Sequence, residues 1–455
     1  MEHMTLEMIT ACCNGIYFGE EAQKNTEVTG IAIDSRKVKK GGLFIPIRGE
    51  RADGHNFIPD VMKAGALACL SEKRLEEPAG PYILVESSKT ALRQIAAYYR
   101  QCLDIKVVGI TGSVGKTSTK EMIASVLKEK FNVHKTAGNF NNEIGLPLTI
   151  FDITKEHEAA VLEMGISDFG EMHRLGEIAK PDICVITNIG QCHLENLGTR
   201  DGILKAKTEI FSHLHGKGIV ILNADDDKLA QIREVGGRQP VWYGKHNGEA
   251  YATEIEPLGM EGIRMRLHLK GESKTVTIPI AGEHNIYNAL AAACVGDVCG
   301  MSFEDICRGI EHVETISGRS NLIQKNGVTI LDDCYNANPV SMRASIDVLS
   351  QASGRKIAIL GDMGELGKEE RSLHAEIGAY AAKKNIDILL CVGELSKEMV
   401  QAAQNTRNSH MYTVHFDTKE DLLSYLPLVI KKGDTLLVKA SHFMQFSKIV
   451  EALSE

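Results

Sequence analysis

Gly109-Ile110-Thr111-Gly112-Ser113-Val114-Gly115-Lys116-Thr117-Ser118 is the stretch on which the fold of this chain turns. Just upstream, Ile105, Val107 and Val108 form an apolar run that ends like a buried strand. Downstream, Met122, Ile123, Val126 and Leu127 recur at helical spacing between Lys120 and Lys130. Strand, glycine turn and helix start, in that order, build a cradle for phosphate. Loop N–H groups and the positive helix end face the anion, a lysine adds charge, and a hydroxyl can reach Mg²⁺. The long pattern G-x-x-x-x-G-K-[ST] is broken at its first position by Ile110, and the tighter T-G-x-x-G-K-T remains. With a strand before it and a helix after it, the stretch reads as a nucleotide site rather than a turn with a surface lysine. Its contacts would come from Thr111, Gly112, Ser113, Val114, Gly115, Lys116 and Thr117.

Outward from this loop the chain alternates. Apolar runs at Ala159–Met164, Ile183–Ile189 and Ile219–Leu222 are separated by helical patterns, which predicts a parallel sheet. Residues 250–281 break the rhythm. Ile263, Met265, Leu267 and Leu269 alternate with polar residues, Val276 and Ile278 follow a turn, and an antiparallel patch is expected. Before the loop, Ile31–Ile33 and Leu43–Ile47 read as strands of a small α/β domain. Past residue 316, strands are expected at Val328–Leu331, Ile357–Leu360, Ile388–Val392, Met411–His415 and Thr435–Val438. That layout is Rossmann-like but lacks G-x-G-x-x-G; Leu360–Gly367 is acidic and wrongly spaced, so no dinucleotide is predicted there. At about 150 residues per domain, the 455 residues predict three α/β domains: 1–103, a central P-loop parallel-sheet domain at 104–315, and 316–455.

A net charge of −9 without a basic block argues against nucleic acid as a partner. Eleven cysteines, an odd number with no C-x-x-C pair, read as reduced, packed thiols of a cytosolic protein. There is neither a basic, then apolar N-terminus nor an apolar run of bilayer length, so a cytoplasmic protein without membrane insertion is expected.

Several polar residues sit at or just past predicted strand ends, which converge on one crevice in a parallel sheet. Glu163 can hold Mg²⁺ opposite the Thr117 hydroxyl; the plainer alternative is a salt-bridged acid. His193 reads equally well as a structural histidine. Lys207, on a predicted helix, reads as a solvated surface charge. Asn142 belongs to the amide-rich Gly138–Pro147, which can ring a substrate or merely turn. Ser35 and Arg36 suit a phosphate or a uracil carbonyl, although chemistry alone favours a polar turn. Arg319 can reach a transferring phosphate from another domain. Asp333, Asn336 and Asn338 end a strand with acids and amides, which can also cap the helix beginning near Pro339.

In this order the motifs resemble those of the Mur ligases, the ATP-dependent amino-acid ligases of peptidoglycan synthesis. The resemblance spans essentially the whole chain. It rests on Asp34-Ser35-Arg36, Thr111–Thr117, Asn139–Pro147, Glu163-Met164-Gly165, His193, Ala206-Lys207, His284-Asn285, Gly318-Arg319 and Asp332–Pro339. Tyr335-Asn336-Ala337-Asn338-Pro339 is most similar to the dipeptide-adding branch, whereas the diaminopimelate- or lysine-adding relative usually differs there. Lys439-Ala440-Ser441-His442 departs from the Lys-Gly-Ser-Arg-like segment usual in the family. The resemblance implies that the three domains take, in turn, a UDP-sugar peptide, ATP and the incoming amine. The reaction would join D-alanyl-D-alanine to UDP-N-acetylmuramoyl-tripeptide through an acyl phosphate. Thr117 and Glu163 would hold one Mg²⁺; His193 and a carbamylated Lys207 would hold a second. Lys116 would neutralise charge, Asn285 and Asn288 would contact adenine, and Arg319 and Asp333 would reach ATP from the third domain. Ser35, Arg36, Asn142, Asn336 and Asn338 would contact substrates, and a monomer is expected. The rival readings are another Mur or folylpolyglutamate-type ligase, and a nucleotide switch that joins nothing.

Overall fold

The strand Lys106–Thr111 is buried from Val107 onward and lies between two parallel neighbours, Ala159–Glu163 and Ile183–Ile186. Burial on both faces explains its unbroken apolar character. The computed structural model describes residues 1–49, 52–407 and 410–454. Among them, the central sheet has nine strands, in the order 272–278, 263–269, 250–257, 241–243, 219–223, 183–186, 106–111, 159–163, 133–135. The 250–278 strands pair antiparallel, as their alternation predicts. The helix after the loop, Lys116–Lys128, buries Met122, Ile123, Val126 and Leu127 in one core with the alanine-rich helix His284–Val298.

The N-terminal lobe holds a five-stranded sheet whose edge strand, Ile16–Phe18, runs antiparallel to Tyr82–Leu84. Its last helix, Ser88–Gln101, is fastened to the central lobe. Tyr99 donates its hydroxyl to the Ile153 carbonyl at 2.7 Å. The buried Arg100 donates to the Ala179 and Lys180 carbonyls and to Asp182. Leu92, Ile95 and Ala96 share one apolar core with Leu146, Ile150 and Phe151 of the central lobe.

The C-terminal sheet runs 321–325, 328–332, 435–439, 356–361, 388–392, 412–416. Five of these strands are mutually parallel. The sixth, Asn321–Lys325, is an antiparallel edge joined to Val328–Asp332 through Asn326-Gly327. Both turn residues have positive φ, as a tight two-residue hairpin requires. None of the eleven cysteines is in a disulfide, and nine are buried, in keeping with reduced, packed thiols. Among the described residues no helix is long and apolar enough to cross a membrane.

Candidate active site

The phosphate loop is held from the side by the end of the neighbouring strand. Thr187 Oγ1 and Asn188 Nδ2 donate to the Val114 carbonyl, and Val114 N–H donates to Asn188 Oδ1 at 3.1 Å. Gly190 N–H donates to Ser113 Oγ at 2.9 Å. Gly112 has φ 152°, and a Cβ there would lie 1.9 Å from Thr187 Oγ1, so only glycine allows this close approach. Gly115, at φ 82°, starts the helix. Lys116 folds back over the loop and donates Nζ to the Gly112 carbonyl at 2.9 Å, which places its charge at the loop itself.

Four candidate-site side chains each have a buried polar atom without a hydrogen-bond partner: Thr111 Oγ1, Glu163 Oε2, Lys207 Nζ and Arg319 Nε. Glu163, 2% exposed, accepts from Asn141 Nδ2 at 2.8 Å through Oε1, while Oε2 makes no hydrogen bond. Its nearest cation is Lys120 Nζ at 3.8 Å, itself buried and donating to the Thr136 carbonyl. A buried carboxylate oxygen without a donor is costly unless a cation completes it. Lys207, 0% exposed, has no partner for Nζ. This corrects the surface-lysine expectation: the helix Arg200–Thr208 turns Ile203, Ala206 and Lys207 inward together. Burial, with the Lys116 charge adding to it, pulls the Lys207 amine down to about 7. His193 sits at φ 49°, its Nδ1 2.6 Å from Glu365 Oε2 of the C-terminal lobe. Among the described residues no three His, Cys, Asp or Glu side chains form a ready metal cluster. The candidate donors are a hydroxyl (Thr117), a carboxylate, an imidazole and an amine.

A cavity of about 590 Å³ opens beside the loop, between the central and C-terminal lobes. Val114, Gly115 and Asn288 line one side; Arg319, Asp333 and Lys439 line the other. Asn288 accepts from Thr119 Oγ1 at 2.8 Å and donates to Asn285 Oδ1 at 2.9 Å. Asn285 in turn donates to the Ala281 carbonyl and stands buried behind Asn288. Arg319 donates to Thr117 Oγ1 at 3.3 Å, and its guanidinium lies 4.0 Å from the Tyr335 ring centroid. Asp333 accepts from Lys439 Nζ and Ser345 Oγ, both at 2.5 Å, and from Ser320 N–H. Burial opposes its ionisation most strongly of any single influence, but the Lys439 charge, the hydrogen bonds from Lys439 and Ser345 and the Arg319 charge together outweigh it and hold the carboxyl below its usual range.

Residues 27–100 match the Mur ligase family catalytic domain, 110–296 the Mur ligase middle domain, and 318–442 the Mur ligase glutamate ligase domain. The chain is 39% identical over 437 residues to the UDP-N-acetylmuramoyl-tripeptide–D-alanyl-D-alanine ligase of Bacillus subtilis, covering 95% of this chain and 94% of that one. The chain belongs to the Mur ligase family. Among solved structures, a MurF crystal structure from Acinetobacter baumannii superposes with TM-score 0.91 at 34% identity, covering 100% of this chain and 99% of that one. The MurF ligase from Thermotoga maritima in complex with ADP superposes with TM-score 0.83 at 31% identity, covering 94% and 97%.

The cleft of this Mur ligase does not gather every residue proposed from sequence. Ser35 and Arg36 lie on a surface turn of the N-terminal lobe, where Arg36, 85% exposed at its side chain, is bonded twice to Asp34. That lobe has its own cavity of about 370 Å³, lined in part by Arg48, His55 and Lys73. Asn142 accepts from Ile144 and Gly145 N–H and so shapes a helix start. Its neighbour Asn141 is the residue that reaches Glu163, and nothing in a run of amides distinguishes the two. Asn336 Oδ1 accepts from Ala337 and His442 N–H. Asn338 caps the helix Pro339–Ser350 in a reciprocal pair with Ser341. Lys439, given no role from sequence, is buried and paired with Asp333. In the segment that departs from the family pattern, His442 lies 5.3 Å from the Tyr335 ring.

Proposed function

We propose that this chain is an ATP-dependent, ADP-forming ligase that joins D-alanyl-D-alanine to UDP-N-acetylmuramoyl-tripeptide. The observation that carries the reading is the cleft, where the phosphate loop of one lobe faces Arg319, Asp333 and Lys439 of the other; the lobe of the loop also holds Glu163 and Lys207, each buried with an unpartnered atom. The substrates are those in the name of the B. subtilis relative.

A carboxylate is a poor acyl donor, so ATP first phosphorylates it. A peptide carboxylate oxygen bonds to the γ-phosphorus, the bond to the β-phosphate oxygen breaks, and ADP leaves. Both reactants are anions. Lys116, already at the loop, and Arg319, beside Thr117, neutralise them as they approach. The dipeptide amine then attacks the acyl carbon and loses a proton, and phosphate departs from the tetrahedral intermediate. Thr117 and Glu163 would hold one Mg²⁺, and His193 and Lys207 another. Glu163 Oε2 fits this role because it is buried without a donor. Lys207 fits because an amine pulled to about 7 has a substantial neutral fraction near neutrality, and the neutral amine can add CO₂ and, on losing a proton, become a carbamate. Mg²⁺, when bound, would neutralise and polarise the phosphoryl oxygens.

The N-terminal lobe would take the UDP-sugar, and the C-terminal lobe the dipeptide near Tyr335 and Asn336. Asn336, whose Oδ1 is taken by the Ala337 and His442 N–H groups, has its Nδ2 donors to offer a peptide carbonyl or a terminal carboxylate. The test is product mass after incubation with ATP, Mg²⁺ and each amine in turn. D-Alanyl-D-alanine should be joined to the tripeptide precursor; D-alanine, L-lysine and diaminopimelate should be disfavoured on the order of 10⁴-fold. Asn336→Ala should raise KM for the dipeptide more than for ATP. Addition of diaminopimelate to the dipeptide precursor would instead mark the preceding ligase of the pathway. ADP release with no acceptor consumed would mark a switch.

A further inference from the structure

The acidic stretch Leu360–Gly367 lacks a dinucleotide fingerprint, yet one of its residues reaches the central lobe. Glu365 Oε2 lies 2.6 Å from His193 Nδ1. Both residues hold left-handed backbone, at φ 61° and 49°. Histidine is among the side chains enriched there and glutamate is not, so Glu365 is presented at a conformational cost. The stretch is fixed on its own lobe. Asp362 Oδ1 accepts from Ser396 N–H at 2.7 Å, Met363 N–H donates to His374 Nε2 at 2.8 Å, and Gly364 N–H donates to Ser441 Oγ at 2.8 Å. A carboxylate on a rigid loop of one lobe therefore meets an imidazole on the other.

Stability does not account for the pair. The Glu365 side chain is 62% exposed, and an ion pair so open to water contributes little. Orientation does account for it. A histidine that binds a metal through one ring nitrogen commonly gives its other ring N–H to a carboxylate. The carboxylate fixes the tautomer and leaves the lone pair on the metal-facing nitrogen.

We propose that Glu365 is a positioning residue for His193: it holds the proton on Nδ1 and leaves Nε2 as the lone-pair atom for a divalent cation. His193 is then competent only while the two lobes are together, which couples the metal site to lobe closure. The proposal rests on the reading of His193 as a metal ligand.

The experiment uses the full chain with ADP and Mn²⁺ as a paramagnetic stand-in for Mg²⁺, with bound Mn²⁺ counted by electron paramagnetic resonance. Ring-nitrogen NMR reports the His193 tautomer in parallel. Glu365→Ala should weaken the His193-dependent Mn²⁺ class on the order of 10-fold and mix the tautomers. Glu365→Gln, which keeps an acceptor oxygen, should fall between Glu365→Ala and the unaltered protein. His193→Ala should lose that class altogether. If His193→Ala weakens Mn²⁺ binding while both Glu365 variants bind normally with an unchanged tautomer, the positioning role is overturned and the ligand reading stands. If His193→Ala itself binds Mn²⁺ normally, the ligand reading falls, and the proposal falls with it.

Discussion

Glu163→Gln and Lys116→Ala should each lower ligation by on the order of 10³-fold or more while the protein stays folded. The two residues would act on the same charge problem with opposite charges. Lys116 supplies fixed positive charge at the loop, where its Nζ lies 2.9 Å from the Gly112 carbonyl. Glu163 supplies the negative charge that would retain a cation. The glutamine substitution separates a site role from a structural one by its sign. Glu163 Oε2 has no donor, and only Oε1 is bonded, to Asn141. A neutral amide of the same shape removes a buried, incompletely paired charge, so Glu163→Gln should hold or raise the unfolding midpoint. A salt-bridged structural acid behaves in the opposite way, because removing it leaves Lys120 buried without its charge partner. Lys120 has other partners, the Thr136 carbonyl and Glu121, so that loss is small here. Thermal unfolding and product mass measured on the same samples decide the matter. Near-normal turnover by either variant removes that residue from the site, and a large fall in midpoint for Glu163→Gln makes it a structural acid.

What the sequence disclosed and what it hid follow the range of the interactions involved. The loop is a local object: its glycines, lysine and threonine fall within seven residues, and strand and helix periodicities flank it. The antiparallel patch at 250–278 is equally local. Its alternation reports one buried face, and the strands pair in register as that alternation demands. The edge strand Asn321–Lys325 was not legible by pattern because it has no buried face. The Asn326-Gly327 turn was the available signal. Lys207 shows the opposite limit. A lysine in a helical window reads as solvated, and burial emerges only once the helix is packed. Only the resemblance to the Mur ligases pointed to it. Arg319 and Thr117 are 202 residues apart in sequence yet bonded. No periodicity carries that information, nor the meeting of His193 and Glu365.

Lys207→Ala should abolish ligation, and formate or acetate should restore part of it. A lysine carbamate is a carboxylate at the end of a lysine stem, so a small acid in the space vacated by the side chain supplies similar oxygens. Lys207 is fully buried with an unpartnered Nζ, which leaves room for that chemistry and none for a solvated role. pH gives an independent check. Carbamate formation needs the neutral amine, and the folded-state amine titrates at about 7 because of burial and the Lys116 charge. Acidification below that value should therefore lower activity, and added bicarbonate should recover more of it at pH 6.5–7 than at pH 8. Stability should move in a linked way when CO₂ is excluded. The folded pKa is lowered from the ordinary lysine value of 10.5, so between about 7 and 10.5 the unfolded chain binds the extra proton. Stability from this group accordingly rises with pH across that window, and the penalty is fully present below it. Lys207→Met, which keeps the volume and removes the charge, should thus be more stable than the unaltered protein, most of all below pH 7, while remaining inactive. The measurements are ADP release against acetate concentration, and unfolding midpoints of both proteins across pH. Full activity of Lys207→Ala without rescue, or a lower midpoint for Lys207→Met at pH 6, would show that the buried amine serves packing rather than the metal site.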